Sequence, residues 1–517
     1  MNRTYLTLGF AAGAVALAFF LSSKAVDGAS GGAASAPGDG QVEVVPGERR
    51  WWRPGEKRQW HPHMRFEGRS VDIETIGPDL PVDAADHPFF APIGTNGRAC
   101  VTCHQPSDGM SLSTATIREM WELSDGKDPL FATVDGANCP DATPGERESH
   151  SLLLERGLFR IGMPWPPKLP EGDELEFSIE VVRDPTGCNV SAKYGLASAT
   201  PTISVYRRPR PVANLRYILT VPNLFNIKTG VPVMRDPETG ERQNMNLLAD
   251  ARFLTLRMQA RNAAKTHLQR SEPLSEEEVR ELDRFQGGVY MAAVNHHVGG
   301  RLDAGGATAG AASVVEGQPL LGDYIERRVF PYFEAWNTPA DDDATAEQRA
   351  FRESVARGEE IFMMRPFYIR DVTHLNTIIG MGNPIKRTCA TCHNMQHVGI
   401  DGAPGWMDLG TNTLPLAEKT DDLPLFKVTC SPTARQHPYL GRTVLTTDPG
   451  RALVTGKCVD VGAVNLQQMR GLAERAPYFA NGVAADLMEV VEFYDRRFEM
   501  KLGEQDKQDL VNFMSTL

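Results

Sequence analysis

The chain has 517 residues, a formal net charge of -12, 41% hydrophobic and 23% charged residues. That length exceeds one compact core and suits two domains with additions, and the composition is that of an ordinary soluble globular protein. The acidic balance, with no concentrated Lys/Arg run, argues against a nucleic acid partner, because phosphate binding needs clustered positive charge.

Arg3, an unbroken apolar run over 5–21 and a Ser/Ala/Gly-rich stretch from Ser22 to Gly40 read as an export signal. The run is short for a bilayer span, so residues 1–28 are taken as a signal peptide or an uncleaved N-terminal membrane anchor. Either assignment puts the folded part outside the cytoplasm, in the periplasm.

Residues 29–85, with Trp51, Trp52 and Trp60 and no sustained period, are expected to be an irregular arm. A first domain is assigned to 86–340, with an insertion at 139–200. Alternation in Leu175–Val182 predicts a strand there, within a small lobe. Residues 245–290 are helical in pattern, with Leu254, Met258 and Leu268 on helix-like spacing. A second helix over 274–294 is opened by the capping pattern from Ser275 to Glu278. Ala304–Gly317 is a Gly/Ala-rich loop. The polar run Asp341–Asp343 marks the boundary to a second domain, 341–517, which begins with a helix through Phe351, Val355 and Ile361. Two terminal helices carry the apolar faces Leu487, Val490, Val491, Tyr494 and Leu510, Phe513, Met514, Leu517.

Eight cysteines divide into two sets. Cys100-Val-Thr-Cys103-His104 and Cys389-Ala-Thr-Cys392-His393 are both C-x-x-C-H. The other four are Cys139, Cys188, Cys430 and Cys458. In an exported protein they are expected to pair, and the local pairing Cys139–Cys188 with Cys430–Cys458 is preferred among the three connectivities. Four buried thiols are the alternative.

In C-x-x-C-H the two thiols add across the vinyl groups of haem and the histidine binds iron from one side. Composition alone yields about 0.003 chance matches in a chain like this, so two are not accidental. A zinc site would need four ligands from one cluster. The expectation is two covalently bound haem c groups, held by Cys100, Cys103 and His104 and by Cys389, Cys392 and His393. The expected fold class is mainly α, with two cytochrome-c-like haem domains and irregular and small β insertions. What occupies the sixth position of each iron separates peroxide or oxygen chemistry from plain electron transfer. With 12 His and 18 Met in the chain, spacing alone does not assign it.

Two haem motifs in this order resemble the bacterial di-haem cytochrome c peroxidase and MauG family. The segment Gln468-Met-Arg-Gly-Leu-Ala-Glu-Arg-Ala-Pro-Tyr-Phe-Ala-Asn-Gly482 is similar to the family's LRN-x-x-x-T-x-P-Y-x-H-D-G, and Glu489–Tyr494 to the helix after it. Leu248–Gln259 resembles FWDGRAxxLxxQ. Together with the haem motifs these blocks cover roughly half the chain.

The resemblance implies that Tyr494 stands at the axial-ligand position of the second haem, which is Met in the peroxidases and Tyr in MauG. Gln259 stands at the active-site glutamine. Gln269 replaces the family's acidic Glu, so His267, two residues earlier, becomes the candidate acid/base. Ala249 replaces the tryptophan between the haems and Ala480 the histidine of HDG. His150, Met163 and Met110 are alternative sixth ligands of the first haem. The family often holds calcium between its domains; the stretch Arg207-Arg-Pro-Arg-Pro-Val-Ala-Asn214 lacks a clear counterpart of its asparagine, which leaves calcium open.

The implied activity is a peroxidase-like oxidoreductase. Hydrogen peroxide or oxygen meets the His104-bound haem, and the His393-bound haem relays electrons to a small redox protein or other donor or acceptor. An exported protein substrate is a further candidate partner. A non-catalytic di-haem electron carrier and a di-haem oxygenase of an apolar substrate are the alternatives.

Overall fold

The computed structural model describes residues 43–45, 50–219, 234–316, 332–338, 343–377, 381–394, 398–400 and 405–517. The signal or anchor at 1–28 and the boundary at 340 lie outside them. Among the described residues no helix is long and apolar enough to cross a membrane.

The architecture corrects the mainly α expectation. Helices account for 29% of the structure and strands for 18%, spread over several small sheets. Part of the difference comes from the stretch expected as an irregular arm. His63–Phe66 and Val71–Ile76 form the middle of a five-stranded sheet whose order is Glu43–Val45, His63–Phe66, Val71–Ile76, Tyr290–His296, Gly300–Arg301. Val71–Ile76 alternates buried and half-buried residues, the period of a strand with one covered face. Trp51, Trp52 and Trp60 are each about 1% exposed or less. Trp52 and Trp60 pack with Phe66, Phe90 and Phe285 at centroid separations between 5.3 and 6.3 Å. Full burial of such rings stabilises by about 1.5–3 kcal/mol each, so this segment is core.

The helix expected over 274–294 is Glu276–Gly288. Its capping box forms as anticipated: Glu278 N donates to Ser275 Oγ at 3.2 Å and Ser275 N to Glu278 Oε2 at 2.7 Å. It stops at Gly287-Gly288, and Tyr290–His296 continues as a strand paired antiparallel with Val71–Ile76. Two glycines weaken the helix, and the apolar run after them fits a buried strand as well as a helix face. The preceding helix is shorter than its pattern, Leu256–Thr266, capped by Thr255 and leaving Leu254 and Leu268 outside.

The 139–200 insertion does not close on itself. Phe177–Arg183 pairs antiparallel with Leu425–Cys430, which pairs in turn with Thr443–Thr446. Phe159–Pro164 pairs separately with Thr202–Arg207. Phe426 fills the space between Met163, Ile203, Val205 and Leu453 and joins the two layers. Disulfides link Cys139 to Cys188 and Cys430 to Cys458, as the sequence favoured. The expected C-terminal helices form, Ala346–Met364, Leu487–Phe498 and Glu504–Ser515, with short strands lying between the first and second. Gly358 lets the first and last of these approach closely; a Cβ there would sit 2.0 Å from the Asp509 carbonyl oxygen.

Candidate functional site: two Cys-x-x-Cys-His cavities

Both C-x-x-C-H segments fold the same way. Cys100–Thr102 and Cys389–Thr391 are single 3-10 turns entered from an extended residue. The threonine of each motif ties the turn back: Ala99 N donates to Thr102 Oγ1 at 3.0 Å and Thr388 N to Thr391 Oγ1 at 3.3 Å. Each histidine then pairs through Nδ1 with a carbonyl six residues on, His104 with Met110 at 3.3 Å and His393 with Gly399 at 3.0 Å. With the proton on Nδ1 the Nε2 lone pair is free to bind a metal, the usual way such a ligand is oriented. Burial lowers the pKa of both, His104 to about 4, so both imidazoles are neutral. Both disulfides use the other four cysteines. Burial pushes the thiols of Cys100, Cys103 and Cys389 up to about 12.

Each turn faces a cavity. The second encloses about 1490 Å³ of empty space including its mouth, and its walls are mainly apolar: Phe362, Phe367, Leu409, Met469, Val491 and Met514 beside Cys389, Cys392 and His393. Tyr494 projects from helix Leu487–Phe498 into it, with Oη 3.4 Å from His393 Nε2. Burial raises the Tyr494 phenol well above its ordinary range, so it is a neutral hydroxyl unless a cation stands beside it.

The first cavity, about 1090 Å³ on the same measure, contains Cys100, Cys103, His104, Gln259 and His267. Gln259 projects from helix Leu256–Thr266 and His267 caps that helix's C-terminus. The sequence did not reveal the group behind His267. Asp135 Oδ2 accepts from its Nδ1 at 2.5 Å, and Asp135 Oδ1 accepts from Arg98, a side chain 1% exposed. Burial alone would raise the Asp135 pKa; Arg98 and His267 more than offset it and hold the carboxyl below the ordinary range. Arg98 is itself fixed by the carbonyls of Pro129, Leu130 and Ala132. The chain Arg98–Asp135–His267 sets the imidazole's tautomer and directs Nε2 away from the carboxylate, the arrangement of a general acid/base.

Gln269 is not part of this site. The helix ends before it, and it sits with φ 52° outside the cavity lining. Gln286 lines the cavity, is 4% exposed, and its Oε1 has no hydrogen-bond partner among the described residues. Asn465 Oδ1 at the second cavity likewise has none among them. Buried acceptors of this kind await a donor, so both cavities suit a bound group. Ala249 lines the first cavity. Ala480 lines the second.

The alternative ligands are engaged elsewhere. His150 is fully buried with Nε2 on the Phe131 carbonyl and Nδ1 beside Ser149 Oγ and the Glu146 carbonyl. Met163 packs in the β lobe. Met110 lies in the main core. Asn214 is saturated: Nδ2 donates to the Met291 carbonyl and Gln468, and Oδ1 accepts from Met291 N. Among the described residues no group of three or more His, Cys, Asp or Glu could hold a metal ion.

Over part of its length the chain is similar to a cytochrome c peroxidase. That protein, IdrP1 of Pseudomonas sp. (strain SCT), is 33% identical over 148 residues, 26% of this chain. The match spans 37% of IdrP1's length. No family model matches the chain. A solved structure of Kuenenia stuttgartiensis hydrazine synthase overlaps 77% of this chain and 87% of its own at 13% identity and a TM-score of 0.27, too low to carry an argument.

Proposed function

We propose that the chain is an exported, periplasmic di-haem c-type oxidoreductase of the peroxidase kind. The carrying observation is the repeated local geometry: two C-x-x-C-H turns, each with its histidine tied to a carbonyl six residues on, each facing its own cavity. Cys100 and Cys103, with His104, would hold one haem c; Cys389 and Cys392, with His393, would hold the other. Haem, when bound, supplies one-electron and peroxide chemistry at its iron.

The protein's own contribution follows from its side chains. His267 Nε2, oriented by Asp135, takes a proton from one peroxide oxygen and returns it to the other. Gln259 and Gln286 orient that oxygen pair by hydrogen bonding. Tyr494 holds a phenol oxygen 3.4 Å from His393 Nε2 and, as a phenolate beside a bound metal, would favour its more oxidised state. Arg208 and Pro209 line both cavities and would connect them directly through the protein. A small redox protein is the electron partner.

Purified protein from a competent exporting host should carry two haems per chain that resist acidified acetone, and it should consume hydrogen peroxide. Colourless protein refutes the proposal. Two low-spin, peroxide-inert haems would instead establish the electron-carrier reading, which is favoured by the position of Gln269 outside the cavity and by the facing pair Tyr494 and His393.

A further inference from the structure

Between the two cavities the charges do not balance. Of the arginines lining the first cavity, Arg98 is matched by Asp135, while Arg207 and Arg252 share Asp250, and Arg207 also holds Asp448. Arg208, Arg210 and Arg475 are different: among the described residues every hydrogen-bond acceptor they use is a backbone carbonyl. Arg208 donates to Leu112, Arg156 and Arg475, Arg210 to Leu248, Asn465 and Leu466, and Arg475 to Gly471 and Gln468. Arg475 spends Nε and Nη2 in this way, which leaves Nη1 over. Arg208 and Arg475 are 6% and 4% exposed. Burial draws Arg208 down to about 9 and Arg475 to about 10, still charged at neutral pH. Asp108 and Asp250 act on Arg208 and on the half-buried Arg210 only across space, and among the described residues no carboxylate is hydrogen-bonded to any of the three. Cations compensated so thinly cost on the order of several kcal/mol, so the cluster marks the seat of an anion.

The backbone is shaped around them. Gly157 has φ +63°, and a Cβ there would lie 1.9 Å from Arg208 Nη1. The placement is also ordered: Arg210 lines only the first cavity, Arg475 only the second, and Arg208 both.

We propose that Arg208, Arg210 and Arg475 form a carboxylate cradle that receives the propionate groups of a haem in each cavity, with Arg208 shared between them. This deepens the functional reading above and rests on it. Guanidinium groups suit carboxylates through paired N–H donors, and a shared cation couples the charge states of the two occupants.

The test uses the mature haem-loaded protein. Covalent haem is counted first by its pyridine haemochrome spectrum, and each haem's reduction potential is then measured by spectroelectrochemical titration. Arg475→Gln should lower the potential of the His393-side haem by the equivalent of about tenfold in its reduction equilibrium, about 59 mV for one electron, and leave the other unmoved. Arg210→Gln should do the same for the His104 side alone. Lysine at either position should keep the potential while shifting the propionate bending band of that haem in the resonance Raman spectrum. If the glutamine variants fail to fold, the band shift in the lysine variants decides. Two haems with unmoved potentials and bands, or equal shifts at both haems from either variant, would overturn the cradle while the functional reading stands. Wild-type potentials that track added phosphate would assign the arginines to a free anion and likewise overturn it. Protein without covalent haem would end both.

Discussion

Replacing Asp135 by asparagine removes a charge and keeps the shape, and two separable consequences follow. The carboxylate sits between Arg98 and His267, with Asp135 and Arg98 side chains 5% and 1% exposed. Breaking such a pair leaves a buried guanidinium uncompensated, which costs about 3–5 kcal/mol. The second consequence concerns protonation. If the oxygen of the introduced amide keeps the Arg98 bond, the amide NH2 faces His267 Nδ1, reverses that hydrogen bond and selects the other tautomer, with the proton on Nε2. Peroxide consumption should then fall about 10²–10⁴-fold, the span of a lost general acid/base. Urea unfolding measures the first effect and steady-state peroxide turnover the second. Arg98→Met combined with Asp135→Asn removes the stranded cation but frees the Pro129, Leu130 and Ala132 carbonyls, so stability should recover only in part while turnover stays low. An Asp135→Asn loss below about 1 kcal/mol would refute the buried-pair reasoning. Unchanged turnover in a folded Asp135→Asn protein would remove His267 from the chemistry.

Tyr494→Phe should alter the absorption spectrum of the His393-side haem and leave the other unchanged; identical spectra would show that the phenol is not a ligand. Asp250 has its carboxyl held at about 2: burial works against this, but Arg252 and Arg207 overcome it. Its folded pKa lies below its unfolded value, so its stabilisation is complete above about pH 4 and is lost as pH falls through 2. That amounts to about 2 kcal/mol, readable as a flatter pH–stability curve for Asp250→Asn across that window. Gly399→Ala places a Cβ 2.5 Å from Met469 Cγ at φ +88°, on the residue whose carbonyl orients His393. A destabilisation of about 1–3 kcal/mol is expected, with haem content falling from two towards one per chain, counted by haemochrome assay.

What the sequence made legible was what is local. The two C-x-x-C-H turns, the Ser275 capping box, the strand within Leu175–Val182 and the terminal helices all depend on neighbours within a few positions. Gln259 and His267 share a helix and its cap, so one pattern carried both to the cavity wall. Gln269 failed by the same logic: the helix ends at Thr266, and two residues past His267 the chain has turned away. Asp135 was invisible because it lies more than a hundred residues from His267, and nothing in either segment announces the other. Trp51, Trp52 and Trp60 lacked a period because largely irregular backbone carries them into the core, Trp51 into one cluster and Trp52 and Trp60 into another, so pattern alone suggested an arm. The run Arg207-Arg-Pro-Arg210 was a usable signal: so many cations beside apolar residues ask where their counter-charges are.

The strand Phe177–Arg183 also ties the 139–200 insertion to a far later part of the chain. Phe177–Arg183 finds its partner only when Leu425–Cys430 has been made and delivered, more than two hundred residues later. Ile161, which packs against the cluster that Phe426 completes, forms part of the first cavity's wall. That part of the wall is therefore backed only once the later segment has folded against it, a contact of long sequence separation and so of slow formation.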